Sequence, residues 1–293
     1  MAMKIDFERD LGGVAVRTRA PRAGEAAPRP TACGVRVKTI ALPTEHGGWG
    51  ITLEPVLLGL LVAPSWAGAG LALATLGAFL ARHPFKIVAG DRRRGRRFPR
   101  TPVAERFTLL YSAVALAGFV LALAAAPAYA FLLPLALAAP LAAAQLWYDA
   151  AGQSRGLLPE LAGSVAMGSV AAALALAGGA GWPLALGLWA VLAARFVPAI
   201  LYVRARLTEL HGKEFSRWPS LLAHAAALGA VSLLAAYGLL PRLAVLMTAV
   251  LLGRAAYGFA RRWPTTAKHV GFSEIAFGAL TVAAVAAGVA FGI

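Results

Sequence analysis

The sequence predicts an all-α polytopic membrane protein. Of its 293 residues, 59% are hydrophobic and only 14% are charged, and the mean hydropathy is +0.70. Soluble domains carry about 25% charged residues, so this composition excludes an ordinary soluble domain and a disordered chain. The apolar residues form separate stretches of about 20 residues, which is the length a helix needs to cross a bilayer. They lack the strict alternation of an outer-membrane barrel strand.

Nine stretches of this kind follow residue 40. Each is rich in Ala, Leu, Val and Gly, and most are bounded by Pro, Gly or charged residues. We therefore predict nine transmembrane helices, over residues 48–64, 66–82, 107–126, 128–147, 159–178, 182–203, 220–239, 241–260 and 271–292. The first stretch is interrupted by Glu54-Pro55, and only Ala63-Pro64-Ser65 separates it from the second.

The distribution of cations predicts the orientation of these helices. The chain has 28 Lys and Arg against 13 Asp and Glu, which gives a net charge of +15. With nine spans, every cation except Arg242 falls on one side of the membrane. The positive-inside rule places that side and the N-terminus in the cytoplasm. Because this charge flanks membrane helices, we expect no nucleic-acid partner, and we expect the run 92–97 to face lipid headgroups.

Residues 1–40 predict a disordered basic cytoplasmic tail, and residues 41–293 form the predicted transmembrane domain. The tail combines Arg, Pro, Ala and Gly without an apolar run, so we expect no signal peptide. Its Cys33 is the single cysteine of the chain, which excludes an intrachain disulfide and a cysteine-based metal site. Since no two histidines have metal-ligand spacing either, no metal site is predicted.

Ionisable residues inside the predicted spans indicate a functional site, because charges in the bilayer are costly and need partners. Arg195 lies well inside the sixth predicted helix. At 100° per residue, Tyr202, Arg206 and Glu209 follow it on the same face, whereas Arg204 points the opposite way.

The eighth predicted helix carries Arg254, for which the same need for partners holds. The candidate partners of both arginines are Glu54, Glu160 and Glu274, each near the start of a helix. Two interpretations stay open. The arginines hold a phosphate or diphosphate in an anion-binding cavity, together with Arg206 or Lys86, or they only pair with the glutamates to hold the bundle together.

The sequence thus gives two sets of candidate site residues. The predicted substrate-binding residues are Glu54, Lys86, Glu160, Arg195, Tyr202, Arg206, Arg254 and Glu274. The candidates for acid–base chemistry are Glu45, His46, Asp91 and Asp149. His46 is included because the ordinary pKa of imidazole, about 6.5, suits proton transfer. No catalytic role is assigned from the sequence alone.

Several short motifs resemble the YwiC-like family of bacterial integral membrane proteins, a family without an assigned activity. The resemblance covers roughly residues 41–293. The motifs that carry it are Pro43-Thr44-Glu45-His46-Gly47-Gly48-Trp49, Glu54-Pro55, Tyr148-Asp149 with Arg155 and Glu160, Tyr202-Val203-Arg204-Ala205-Arg206, and Lys268-His269-Val270-Gly271 with Glu274. The resemblance implies a multi-pass protein of the bacterial cytoplasmic (inner) membrane.

The architecture is more distantly similar to UbiA-type intramembrane prenyltransferases. These have nine helices, an inside N-terminus and functional loops after the second and sixth helices, where this chain has its largest charged connections. The resemblance implies Mg²⁺ as cofactor and a prenyl diphosphate as substrate, both bound by Asp-rich motifs. Such motifs are absent here: the first loop offers Asp91 and Glu105, and the second offers Glu209 and Glu214. Mg²⁺ stays a possible cofactor, because one or two carboxylates together with substrate phosphates can hold it.

Three classes of function stay open. The first is a UbiA-like protein that binds a lipid or isoprenoid phosphate at the cytoplasmic face of the bilayer, with or without catalysis. The second is a carrier or permease for a small anion, and the third is a non-catalytic membrane assembly factor. The concentration of polar residues at one face favours the first class, since a carrier needs a polar path to both faces.

Overall fold

The computed structural model describes residues 36–43, 46–261 and 266–293, which contain ten α-helices and no strand. The helices are α1 (Val37–Ala41), α2 (His46–Val62), α3 (Trp66–Arg93), α4 (Thr101–Ala125), α5 (Leu132–Ala150), α6 (Leu157–Ala177), α7 (Trp182–Leu210), α8 (Trp218–Ala236), α9 (Arg242–Arg261) and α10 (Ala267–Phe291). Each predicted span coincides with one of α2–α10, so the all-helical fold class is confirmed. Of the predicted tail, residues 1–35 lie outside the described residues, and residues 37–40 belong to α1.

Seven of these helices are long and apolar enough to cross a membrane, namely α3, α4 and α6–α10. The other two long helices are α2, which has 17 residues, and α5, which contains Pro140 and carries the buried Asp149 in its last turn. The chain is therefore a multi-pass membrane protein by the length and composition of its helices. The count of nine spans and the orientation of the termini stay predictions.

Successive helices run in opposite directions, so the connections alternate between the two ends of the bundle. The connections 94–100, 151–156 and 211–217 lie at one end, which we call the basic end. There the Arg93 guanidinium at the end of α3 donates to the main-chain oxygen of Ala151. The Arg204 guanidinium of α7 donates to the main-chain oxygen of Arg155 at 3.1 Å. These bonds tie the last turns of α3 and α7 to the connection 151–156.

Helices α3 and α7 are longer than the predicted spans, which ended at residues 82 and 203. They have 28 and 29 residues, about 42 Å at 1.5 Å per residue, against about 30 Å for the hydrocarbon layer. The loop after α3 is therefore only residues 94–100, because helix continues through Pro84. Arg92 and Arg93 in its last turn favour this extension, since cations complement the helix dipole there.

The core of the bundle is built from small residues. Helix α6 lies at the centre, where Ala171, Ala172 and Ala175 are fully buried, and it packs against α2, α5 and α7. Helices α3 and α4 approach closely along Gly70, Gly77 and Gly118, where an added Cβ would come within 2.6 Å of the facing backbone. Close backbone contact through small residues is typical of helix association in membranes.

Candidate functional site

A cavity of about 710 Å³ lies at the basic end, between α2, α3, α5, α6, α7 and α10. The exposed residues Arg155, His211 and Lys213 lie at its mouth, and the buried side chains of Glu54 and Arg195 lie at its floor. Apolar side chains form the walls between them: Ile51, Phe79, Met167, Phe196, Ile200, Val203, Leu207 and Ile275. The cavity is thus polar at both ends and apolar between.

Helix α7 positions most of one wall. Phe196, Ile200, Val203 and Leu207 recur at helical spacing and face the cavity, with Arg195 and Arg204 at the two edges of this stripe. Arg204 lies on the opposite side of the helix from Arg195, as predicted, and it nevertheless lines the cavity. Both arginines reach the cavity from the two edges of the stripe.

The floor is an ionic network in which Arg195 of α7 binds residues of α10 and α2. Arg195 Nη1 donates to Glu274 Oε2 at 3.0 Å, and Nη2 donates to the main-chain oxygen of Glu274 at 2.8 Å. Its Nη2 also lies 3.7 Å from Glu54 Oε1. The Arg195 side chain is only 4% exposed and that of Glu54 only 8%, so both partners predicted for Arg195 from α2 and α10 are present.

Arg254 of α9 also belongs to this network, on the side of Glu274 away from the cavity. Its guanidinium donates to Glu274 Oε1 and lies over two aromatic rings, 4.2 Å from the centroid of Tyr202 and 4.9 Å from that of Phe277. Cation–π contacts of this kind stabilise a desolvated guanidinium. Neither Arg254 nor Tyr202 lines the cavity. Arg195 and Arg254 thus share one carboxylate, while only Arg195 reaches the cavity.

Two further predicted binding cations lie outside the main cavity. Arg206 donates to Glu209 Oε2, one turn along α7, and to the main-chain oxygen of Gly258 at 3.2 Å, which ties α7 to α9. Lys86 lines a small adjoining space of about 20 Å³ next to Arg82 and His83. The structure therefore does not bring Arg206, Lys86 and Arg254 together around one ligand.

Glu160 pairs with a different arginine from those that the sequence predicted. It accepts from Arg204 Nη1 at 2.8 Å, and both residues line the cavity wall near its mouth. Its predicted pairing with Arg195 or Arg254 is wrong, because Glu160 lies in the first turn of α6 whereas these two arginines lie midway along their helices. Glu160 nevertheless stays a residue of the cavity.

Asp149, a candidate for acid–base chemistry, is bound by Arg82. Arg82 Nε donates to Oδ2 at 2.5 Å and Nη2 donates to Oδ1 at 3.0 Å, and the Asp149 side chain is fully buried. This bidentate pair joins α3 to α5. Arg82 lines the cavity, whereas Asp149 lies behind it.

Asp91, another such candidate, lies in the last turn of α3, outside the cavity lining. It accepts from Arg100 Nη2 at 2.7 Å and from Thr101 Oγ1 at 2.8 Å. The Asp91 carboxylate raises the pKa of Arg100 above its usual range through this hydrogen bond. Asp91 thus closes the turn that begins α4. Of the other two candidates, Glu45 and the side chain of His46 lie outside the described residues.

Two cations at the mouth carry uncompensated charge. Among the described residues, Arg155 and Lys213 form no ion pair, whereas Arg82, Arg195 and Arg204 are each paired with a carboxylate. Five cations and three carboxylates line the cavity, so its field is positive. In the sequence, Arg82, Arg155, Arg204 and Lys213 do not stand out as site residues, because each belongs to the loop-flanking cations that topology alone explains.

The carboxylates of this site do not fit the Mg²⁺ that the UbiA resemblance implies. Mg²⁺ takes an octahedron of oxygen ligands with one or two carboxylates free to bind it. Glu54, Glu160 and Glu274 each face an arginine instead. Within the described part of the chain, no three His, Cys, Asp or Glu residues come together as metal ligands.

Seven apolar helices of membrane-spanning length and an ionic floor within the bundle define a polytopic α-helical membrane protein. The model of the YwiC-like protein family matches residues 42–175, which confirms the resemblance to that family over these residues. The match runs from the start of α2 into α6 and includes Glu54, Arg82, Arg155 and Glu160 of the cavity. No curated protein and no solved structure matches the chain.

Proposed function

We propose that the cavity binds a lipid or isoprenoid phosphate from the basic end. The phosphate lies at the mouth beside Arg155 and Lys213, and the hydrocarbon chain lies along the apolar walls toward Arg195. The observation that carries this proposal is the pair of exposed cations above an apolar cavity, for which the described residues provide no ion-pair partner. Guanidinium and ammonium groups are the usual phosphate ligands of proteins.

The apolar walls supply the reason for a lipid ligand. Phe79, Met167, Phe196 and Ile200 line the cavity between mouth and floor. Burying hydrocarbon against them is favourable by about 25 cal/mol per Å² removed from water. A volume of about 710 Å³ also falls in the range of about 300–1,000 Å³ that is usual for small-molecule sites.

The predicted orientation of the helices gives the side of the membrane from which the ligand enters. With the basic end in the cytoplasm, the ligand enters from the cytoplasmic face of the bacterial inner membrane, as in a UbiA-like bundle. The proposal is one of binding, because the residues of the cavity that suit a phosphate are ligands rather than an acid–base pair. No step through Mg²⁺ follows from these carboxylates.

One observation favours a second candidate, a carrier for a small anion. Arg195 lies midway along α7, and transporters place their sites near the bilayer midplane. A carrier site would bind an anion that has no hydrocarbon chain. The two candidates therefore differ in whether the tail contributes to affinity.

Titration with matched ligands separates these candidates. Purified protein in a neutral maltoside detergent is titrated with dodecyl phosphate, with dodecanol and with inorganic phosphate, and bound ligand is counted by native mass spectrometry. We expect dodecyl phosphate to bind well and the other two to bind poorly. We expect the double variant Arg155→Ala/Lys213→Ala to lose at least tenfold in affinity for dodecyl phosphate, because two charge-assisted contacts are removed.

The matched control is Arg242→Ala, which removes an arginine at the opposite end, at the start of α9, and should leave the affinity unchanged. Since Arg155 and Lys213 are exposed, their removal should leave the melting temperature of the protein unchanged. Equal affinity of the double variant and the wild type would contradict the proposal. Tight binding of inorganic phosphate, with uptake into proteoliposomes, would favour the carrier instead.

A further inference from the structure

Glu54 has a buried carboxylate oxygen for which the described residues provide no partner. Its Oε1 lies 3.7 Å from Arg195 Nη2, but its Oε2 is buried and accepts no hydrogen bond. The side chain is only 8% exposed and lines the cavity. Leaving a buried acceptor unsatisfied costs about 1–3 kcal/mol, and more for a charged group. A hydrogen-bond donor on a molecule bound in the cavity would satisfy this oxygen.

Glycines surround this carboxylate on two sides. Gly47, Gly48 and Gly50, in the first turns of α2, line the cavity on the same helix as Glu54 and carry no side chain. On the other side, the Cβ of any larger residue at Gly278 of α10 would collide with Glu54 Oε1. Glycines thus allow the carboxylate to lie between α2 and α10 and keep the cavity open beside it.

The charges of the floor indicate which donor fits. Arg195 and Arg254 face the two carboxylates of Glu54 and Glu274, so the formal charges of the network balance. An ammonium group bound there would leave a net positive charge among buried groups, which is costly. A neutral hydroxyl keeps the balance and still donates a hydrogen bond to the carboxylate.

We propose that Glu54 binds a hydroxyl group of the ligand, so that the ligand is a hydroxylated lipid phosphate. Its phosphate lies at the mouth and its hydroxyl lies at the floor. This inference rests on the proposed function and names the chemical class of its ligand. Along α7, the floor at Arg195 and the wall at Arg204 are nine residues apart, about 14 Å, which points to a hydroxyl remote from the phosphate.

A pair of matched ligands tests the inference. Dodecyl phosphate and ω-hydroxydodecyl phosphate differ only in one terminal hydroxyl. Their dissociation constants are measured by native mass spectrometry and corrected for the partitioning of each ligand into protein-free micelles. We expect the wild type to bind the hydroxylated ligand at least tenfold more tightly, which is the factor that a hydrogen bond to a charged group provides.

The variant Glu54→Met removes the acceptor and retains the length of the side chain. We expect it to bind the two ligands equally, whereas Arg242→Ala should keep the wild-type preference. Equal affinities in the wild type, or a preference that persists in Glu54→Met, would overturn the inference. If the wild type binds dodecyl phosphate but gains nothing from the hydroxyl, only this inference fails. If it binds neither ligand, the proposed function fails with it.

Discussion

Replacing Glu274 by Met is expected to lower the free energy of unfolding by about 3–5 kcal/mol, which is the usual cost of breaking a buried ion pair from one side. The Glu274 side chain binds both Arg195 and Arg254. Its removal leaves two guanidiniums, 4% and 12% exposed, with only Glu54 as counter-charge. The measurement is the melting temperature of the purified protein in detergent, which should fall by about 10 °C.

A double variant distinguishes the loss of charge balance from the loss of packing as the cause of this destabilisation. The double variant Arg254→Met/Glu274→Met leaves Arg195 with Glu54, so the formal charges balance again. We expect the double variant to melt at a higher temperature than Glu274→Met alone. Replacing a whole buried ion pair by apolar residues is often neutral or stabilising, whereas removing one partner leaves a buried charge. The surface control is Glu105→Met, whose partner Arg97 is 72% exposed, and it should cost less than about 1 kcal/mol. A melting temperature of Glu274→Met within about 2 °C of the wild type would show that the network does not hold α7, α9 and α10 together.

Replacing Arg82 by Met is expected to be similarly destabilising. Arg82 provides both hydrogen bonds that the structure gives the Asp149 carboxylate, and the Asp149 side chain is fully buried. Without Arg82 a buried negative charge has no counter-charge between α3 and α5, which costs about 3–5 kcal/mol. The reverse substitution, Asp149→Asn, should cost less, because the Arg82 side chain is 24% exposed and can be solvated from the cavity.

In thermal melting, Arg82→Met should therefore lower the melting temperature more than Asp149→Asn does. Arg97→Met serves as the control, since it removes an arginine from an exposed pair at 2.6 Å on the same end of the bundle. If Arg82→Met and Asp149→Asn destabilise the protein equally, solvation of Arg82 in the cavity has no effect. If neither destabilises it, the pair does not fix α3 against α5.

The helices were predictable from the sequence because membrane spans depend on one dominant quantity, the hydrophobicity of about 20 consecutive residues. Each of the nine predicted stretches lies on a helix of the structure. The ends were less predictable: α3 and α7 continue beyond the predicted spans to Arg93 and Leu210. Charged residues end a hydrophobic stretch without ending a helix, since Arg, Lys and Glu are good helix formers.

The candidate site was predictable only in its buried part. Arg195, Glu54 and Glu274 stand out because charges inside apolar stretches need partners, and the structure brings these three together. Arg254 was found by the same reasoning, but its orientation away from the cavity depends on how α9 packs against α10 and α7.

The residues of the mouth could not be distinguished from topology signals. Arg155, Arg204 and Lys213 belong to a background of loop-flanking cations that any membrane protein of this kind carries. Which of them converge on one cavity is decided by contacts between helices far apart in the sequence, such as the pair of Arg204 with Glu160. Asp91 and Asp149 are the opposite case, residues that look functional in the sequence and are structural in the protein. Acids are rare in these basic segments and therefore attract attention, but arginines already bind both side chains.

Photoaffinity labelling shows whether the hydrocarbon chain of a bound lipid phosphate occupies the cavity. Dodecyl phosphate carrying a diazirine in the middle of its chain is bound to the protein and irradiated, and the labelled peptides are identified by mass spectrometry. We expect labels on the inner stripe of α7 at 196–207 and near Ile51 of α2, and weaker labelling in the double variant Arg155→Ala/Lys213→Ala. Labels confined to the exposed apolar face of α4, at Leu109, Leu116 and Val120, and unchanged in that variant, would contradict it.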